Sequence, residues 1–349
     1  MKILVPLIAV LALCALALLG ARSGGAAWLL GVALPYLAVL TFLVGVVVKV
    51  LGWARSPVPF RIPTTCGQQK ALDWIPSSKL ESPHSTLGVV ARMALEILFF
   101  RSLFRNTRMA VVADKGKVVY DPSKWLWLGS LVFHYSMLLV VLRHLRLFTE
   151  PVPTLVLWLQ GADGFFQIGL PAVYLTTAGF LVGLGYLLWR RLSSAQLRYI
   201  SLAADYFPLF LLIGIGTTGV LLRHFVKADL EPIKRLAISL LHLQPVVPAG
   251  IHVLFYMHLL LVSVLLVYLP FSKLMHLGGV FLSPTRNLAN NNRMVRHINP
   301  WNHPVAVHTY EEYEDEFRDR MVAADIPVEK QPGAAPSPAA EGAEPRPTE

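Results

Sequence analysis

A chain of 349 residues with 55% apolar and only 15% charged side chains falls well short of the roughly one-quarter charged residues of a soluble globular protein. The apolar excess, a mean hydropathy of +0.55, runs from residue 1 to about residue 282 and excludes a soluble enzyme on a short anchor. A net charge of +10 could point to nucleic acid, but the basic residues lie between apolar runs rather than on one polar face, as membrane topology requires.

Crossing about 30 Å of hydrocarbon takes about 20 mostly apolar residues. Six segments qualify, at about 3–20, 27–48, 125–143, 165–189, 200–222 and 251–271, so the fold class is an all-α polytopic helix bundle. The first resembles a leader peptide, with Lys2 before an apolar run, but Ala21-Arg22-Ser23 is a poor cleavage context and a retained helix is expected. Leu87–Phe104 is apolar yet carries Arg92, Glu96 and Arg101 at near-helical spacing, the pattern of an amphipathic helix on the membrane surface or under a partner. Beyond Leu282 the chain turns polar. Glu311–Glu316 is an acidic run interleaved with Tyr310, Tyr313 and Phe317, either a solvated face or a docking segment, and residues 331–349 are Pro/Ala/Glu-rich and read as disordered. The expected divisions are 1–50 (two spans), 51–124 (a loop), 125–282 (a four-helix core), 283–330 (a docking tail) and 331–349.

Residues 51–124 hold eleven Lys and Arg and the chain from 272 onward eight, against one in 145–164 and three spread over 225–250. Six spans with both termini in the cytoplasm put the denser loops inside. The expected location is the bacterial cytoplasmic membrane.

Two cysteines, Cys14 and Cys66, exclude a disulfide scaffold and a self-contained iron–sulfur cluster, and a lone Cys66 without a nearby His reads as structural. Ionisable groups at membrane depth are costly and mark function. Of eleven histidines, His134 lies within the third span and His144 at its outer end, about 15 Å apart along a helix; His258 lies within the sixth and His276 at its inner end, five full turns on. Four imidazoles on two spans suit two bis-His haems, which leaves the iron to electron transfer; without a Cys-x-x-Cys-His motif the haems would be b-type. Arg143, Arg146 and Arg223 are candidates for haem propionates or a quinone rim at the outer face, where quinol is expected to react near His144. His224 is a rival ligand level with His144. Pairing His144 with His224 and His134 with His258 matches depth, whereas His144 with His258 and His134 with His276 requires tilted helices; the residues alone leave both open. Asp205, one turn into the fifth span, is read as an interfacial carboxylate paired with Arg198 or Lys124, or else as a proton relay. Used as a proton path, the same histidines would suit a transporter, and without haem the chain would be a membrane anchor.

The paired histidines resemble those of the gamma subunit of respiratory nitrate reductase. The strings Ser56-Pro57-Val58-Pro59-Phe60-Arg61-Ile62-Pro63-Thr64-Thr65-Cys66-Gly67-Gln68-Gln69, Phe281-Leu282-Ser283-Pro284-Thr285-Arg286-Asn287 and His308-Thr309-Tyr310-Glu311-Glu312-Tyr313 are similar to the DsrM family, haem-b membrane subunits of the DsrMKJOP complex of dissimilatory sulfur metabolism. The resemblance implies two b haems, held by His144 with His258 and by His134 with His276. It further implies electron exchange between menaquinone and a cytoplasmic iron–sulfur partner resembling DsrK, in a complex with DsrJ-, DsrO- and DsrP-like subunits.

Overall fold

The computed structural model describes residues 1–21, 24–56, 67–112, 116–169, 172–295 and 308–330. Cys66, most of the Ser56–Gln69 string, His297, His303 and the tail from residue 331 lie outside the described residues.

The apolar runs become helices α1 (Leu4–Gly20), α2 (Gly24–Trp28) and α3 (Leu34–Ala54), the last two joined by a π-helical turn at Leu29–Ala33. Then follow α4 (Thr86–Phe99), α5 (Arg101–Phe104), a hairpin of β1 (Thr107–Val112) and β2 (Lys117–Pro122), and α6 (Lys124–His144). Next come α7 (Thr154–Phe165), a two-residue hairpin of β3 (Gln167–Ile168) and β4 (Val173–Tyr174), α8 (Leu175–Ser193), α9 (Ala195–Ile200), α10 (Ala203–Val220), α11 (Leu230–Leu241) and α12 (Val253–Tyr268). Short helices α13 (His276–Gly279) and α14 (Pro284–Asn287) precede α15 (Tyr310–Ala323).

The protein is an all-α polytopic membrane protein in which four described stretches are long and apolar enough to span: Gly25–Ala54, Lys124–Leu147, Ala203–Val226 and Val253–Phe271. The predicted span at 165–189 is corrected. Phe165 ends α7, Gln167–Ile168 and Val173–Tyr174 form β3 and β4, and the helix proper starts at Leu175 and ends through Arg190 and Arg191.

Helix α8 packs between α6 and α10, α10 packs on α12, α1 lies against both α10 and α12, and α3 runs along α12. Without water between helices, close approach depends on small residues. A methyl group added at Gly183 of α8 would stand about 3.0 Å from the backbone of Phe133, and one at Gly179 would meet the Ser136 hydroxyl at 2.5 Å. Phe133, Phe180, Leu184 and Leu212 join α6, α8 and α10, while Val10, Leu211 and Leu261 join α1, α10 and α12. Leu40, Leu43, Val44, Val47 and Val48 face outward, as a lipid-bathed helix requires.

The amphipathic segment Leu87–Phe104 is two helices rather than one. Phe100 adopts φ of +50°, which ends α4 and starts α5. The charged side of α4 engages its own chain: Arg92 donates to the Thr285 carbonyl at 2.6 Å, and Glu96 accepts from Arg286 and from Ser102. Leu87, Val90, Leu98 and Phe99 stay exposed on the apolar side.

The C-terminal unit containing α15 is described by itself. Thr309 and Glu312 form a reciprocal cap at its start. Glu314, only 1% exposed, accepts backbone N–H bonds from Glu329 and Lys330, and Asp315 pairs with Arg318 and Lys330. Part of the acidic run thus closes its own hairpin-like turn, while Tyr310 and Tyr313 remain exposed.

Candidate functional site

Pro270 ends the helix that carries His258. After Tyr268 the chain makes a 3-10 turn at Leu269–Phe271, an extended Ser272 and a second 3-10 turn at Lys273–Met275, and His276 opens α13. The expectation that His258 and His276 share one face of a single helix is therefore corrected: no continuous helix links them. The path between the two residues therefore does not follow the five straight turns that a single helix would impose.

The structure brings the four histidines together two by two. The rings of His134 and His276 lie 6.1 Å apart between centroids with planes at 87°; those of His144 and His258 lie 6.3 Å apart at 11°. His224 faces neither. Its ring meets Tyr174 edge-on at 5.3 Å, on a π-helical turn at Leu221–Val226.

In each of the four rings Nδ1 is already engaged. His134 Nδ1 bonds the Ser130 carbonyl at 2.7 Å, His144 Nδ1 the Val140 carbonyl at 2.7 Å, and His276 Nδ1 the Lys273 carbonyl at 3.0 Å. His258 Nδ1 meets Thr218 Oγ1 at 2.9 Å. The Thr218 hydroxyl lies within hydrogen-bond reach of the Gly214 and Ile215 carbonyls of its own helix, and donating its one proton there leaves its oxygen to accept from a protonated His258 Nδ1. Carbonyl and hydroxyl acceptors at Nδ1 leave Nε2 as the free lone pair, the arrangement that orients metal-binding imidazoles.

Geometry fits a bis-imidazole metal as well. With a metal–nitrogen bond of about 2 Å and a ring centre roughly 1 Å behind the nitrogen, two imidazoles on one ion hold their centres about 6 Å apart. Among the described residues no three His, Cys, Asp or Glu side chains converge. A pair of imidazoles alone suits a metal whose other ligands come from its own macrocycle.

Aromatic rings stand against one member of the His134–His276 pair. Phe100 and Phe133 meet His134 edge-on at 5.1 and 4.7 Å. Trp127 Nε1 and the Tyr135 hydroxyl donate to the last carbonyls of α4, at Phe99 and Leu98, which fixes Phe100 beside α6.

The three predicted arginines gather around Tyr174 at the other end. Arg143 stands 4.7 Å and Arg223 5.6 Å from its ring, and Arg223 donates to its hydroxyl at 2.9 Å. Arg143 forms a 2.5 Å ion pair with buried Asp163, which also accepts from the Thr176 N–H and hydroxyl; Arg146 bonds the neutral Gln160. Arg143 is thus charge-compensated, and Arg146 and Arg223 have neutral partners. Asp205 pairs with Lys273 at 2.7 Å and accepts from the Leu202 N–H, so its expected partners Arg198 and Lys124 are corrected: those donate to the carbonyls of Leu192 and Phe104. Sequence reading missed Asp163, Tyr174 and Thr218. Asp163 adjoins an apolar stretch taken for a span, and a threonine bonding its own helix carries no periodic signal.

Residues 86–297, more than half of the chain, match the family model described as nitrate reductase gamma subunit. A relative from Archaeoglobus fulgidus, described as an Hdr-like menaquinol oxidoreductase cytochrome b-like subunit, is 44% identical over 279 residues, covering 78% of this chain and 82% of its own. One from Archaeoglobus profundus with the same description is 42% identical over 276 residues, covering 77% and 81%.

Proposed function

Because this chain belongs to the nitrate reductase gamma subunit family, we propose that it is a dihaem cytochrome b membrane subunit of a quinone-linked oxidoreductase. His134 with His276 holds one b haem and His144 with His258 the other. Bound there, haem supplies one-electron transfer without an open coordination site. The observation that carries this reading is the pairing of the four rings at about the separation of axial imidazoles, each with Nδ1 tied off.

The chain's own part is to orient and to insulate. Ser130, Val140 and Lys273 carbonyls and the Thr218 hydroxyl fix the ring rotations, and Phe100 and Phe133 keep water from the His134 end. Arg146 and Arg223 are the arginines left for an anionic propionate, because Asp163 already neutralises Arg143.

The names of the relatives support menaquinone as the diffusible partner. The strings at 56–69, 281–287 and 308–313 favour the finer assignment: electron exchange with a cytoplasmic DsrK-like iron–sulfur subunit, beside DsrJ-, DsrO- and DsrP-like subunits, in dissimilatory sulfur metabolism. Pyridine haemochrome analysis of the purified chain is expected to return about two non-covalent haems per polypeptide. A value near zero overturns the cytochrome reading and leaves a haem-free anchor or a proton-conducting subunit.

A further inference from the structure

Where α8 gives way to α10, a group of cations gathers around the short helix α9. Arg190 and Arg191 end α8, Arg198 lies on α9, and Lys2 precedes α1. Lys2 Nζ donates to the Tyr199 carbonyl at 3.3 Å, Arg191 to the Ser201 hydroxyl at 2.8 Å, and Arg198 to the Leu192 carbonyl. All three acceptors are neutral. Asp205, near enough to Arg191 to feel its charge, is bonded to Lys273 at 2.7 Å. The group therefore carries an excess of positive charge.

One member of it is held in place. Ser201 and Tyr206, each 1% exposed, fix the Arg191 guanidinium, the first through its hydroxyl and the second through its ring at 5.9 Å. The surroundings set the depth. On α8 the exposed apolar side ends with Val182 and Trp189, immediately before Arg190 and Arg191. On α1 it begins with Leu4, Val5 and Ile8, immediately after Lys2. The Lys2–Tyr199 bond brings these two changes of character to one level. Trp189 is 63% and Tyr199 83% exposed there, the residue types that favour the boundary between hydrocarbon and headgroups.

We propose that this cluster binds the headgroup of an anionic phospholipid, its phosphate among Lys2, Arg190, Arg191 and Arg198 and its acyl chains on the exposed faces of α1 and α8. Charge and surface decide between occupants. A zwitterionic lipid brings its own ammonium into a site that already has unmatched cations. A soluble anion satisfies the charge but leaves Trp189, Tyr199 and Ile200 uncovered, as an acidic protein surface without an apolar patch would. Basic pockets between helices at a membrane face suit anionic headgroups on both counts. The proposal does not depend on the electron-transfer reading.

The test is native mass spectrometry of the full chain released from detergent micelles that hold phosphatidylglycerol and phosphatidylcholine of the same acyl chains in equal amounts. Haem per chain is measured in parallel. The wild-type chain is expected to retain phosphatidylglycerol in preference to phosphatidylcholine. Arg191→Gln and Arg198→Gln are each expected to lower that preference about fivefold, the effect of one cation near a charged lipid surface, with haem per chain unchanged. Arg191→Lys keeps the charge and most of the preference, and Arg235→Gln, at an exposed cation of α11, leaves it as it was. Equal retention of the two lipids by the wild-type chain overturns the proposal, and so does an unchanged preference in the double variant of Arg191→Gln and Arg198→Gln. Displacement of the lipid by inorganic phosphate, but not by chloride of equal ionic strength, overturns it in favour of a soluble phosphate. Loss of haem in Arg191→Gln overturns it in favour of a haem propionate. Absence of haem from the wild-type chain would sink the cytochrome reading and leave the lipid measurement valid.

Discussion

A histidine inside a membrane is ambiguous until its second nitrogen is accounted for. All four candidate ligands have Nδ1 committed to a carbonyl or hydroxyl, and the one at His258 is held by the Ile215 carbonyl together with a side chain, Thr218, that a single substitution removes. Thr218→Val keeps the shape and deletes the acceptor. Loss of such an outer partner typically costs about 10–100-fold in metal affinity, so the variant is expected to lose the His144–His258 haem on dilution while the other is retained, as measured by haem content against protein concentration. The ligands themselves separate the two pairings. His276→Ala is expected to leave one haem per chain and His224→Ala two; retention of both in the first variant and loss of one in the second would instead support the depth-matched scheme. Spacing alone could not choose between these pairings, because it assumed a straight helix through Pro270.

At the scale of elements, legibility followed the physics of each signal. Long apolar runs announced α1, α3, α6, α10 and α12, since little besides a helix can satisfy the backbone in lipid. The β1–β2 hairpin and the break at Phe100 had no such signal, since neither a short exposed strand pair nor a single left-handed residue leaves a long apolar run. The loop before α6 carries a testable ion-pair node. Although burial pulls the Glu81 carboxyl upward, hydrogen bonds from Arg101 and Arg105 outweigh it and hold the group below the ordinary carboxylate range. A carboxylate depressed in the folded state stabilises fully above its unfolded value, about 4.3, and loses that contribution as pH falls through the folded value. Amides of α5 are therefore expected to keep constant protection between neutral pH and about pH 5, after correction for intrinsic exchange, and to lose it in more acidic solution. Glu81→Gln should lower protection at neutral pH and flatten the acid step; an unchanged step would assign it to another carboxylate.

For the whole molecule, the distribution of Lys and Arg predicts a direction that the helices alone do not. Residues 51–124 carry eleven such charges and 145–164 one, and translocating dense positive loops is disfavoured. On that rule we propose that the β1–β2 hairpin and the Lys273–His276 turn lie on the cytoplasmic side, with α7 and α11 outside. Single cysteines placed in a chain with Cys14 and Cys66 replaced by serine test this directly. Val118 on the hairpin and Glu231 at the start of α11 are suitable positions, since the first is exposed and the second lies at a capped helix end beyond the membrane segment. With a membrane-impermeant maleimide on intact cells, Glu231→Cys is expected to react and Val118→Cys to react only after lysis. The reverse labelling would invert the molecule, placing the His134–His276 pair at the outer face. An iron–sulfur partner taking electrons at that end would then also have to lie outside.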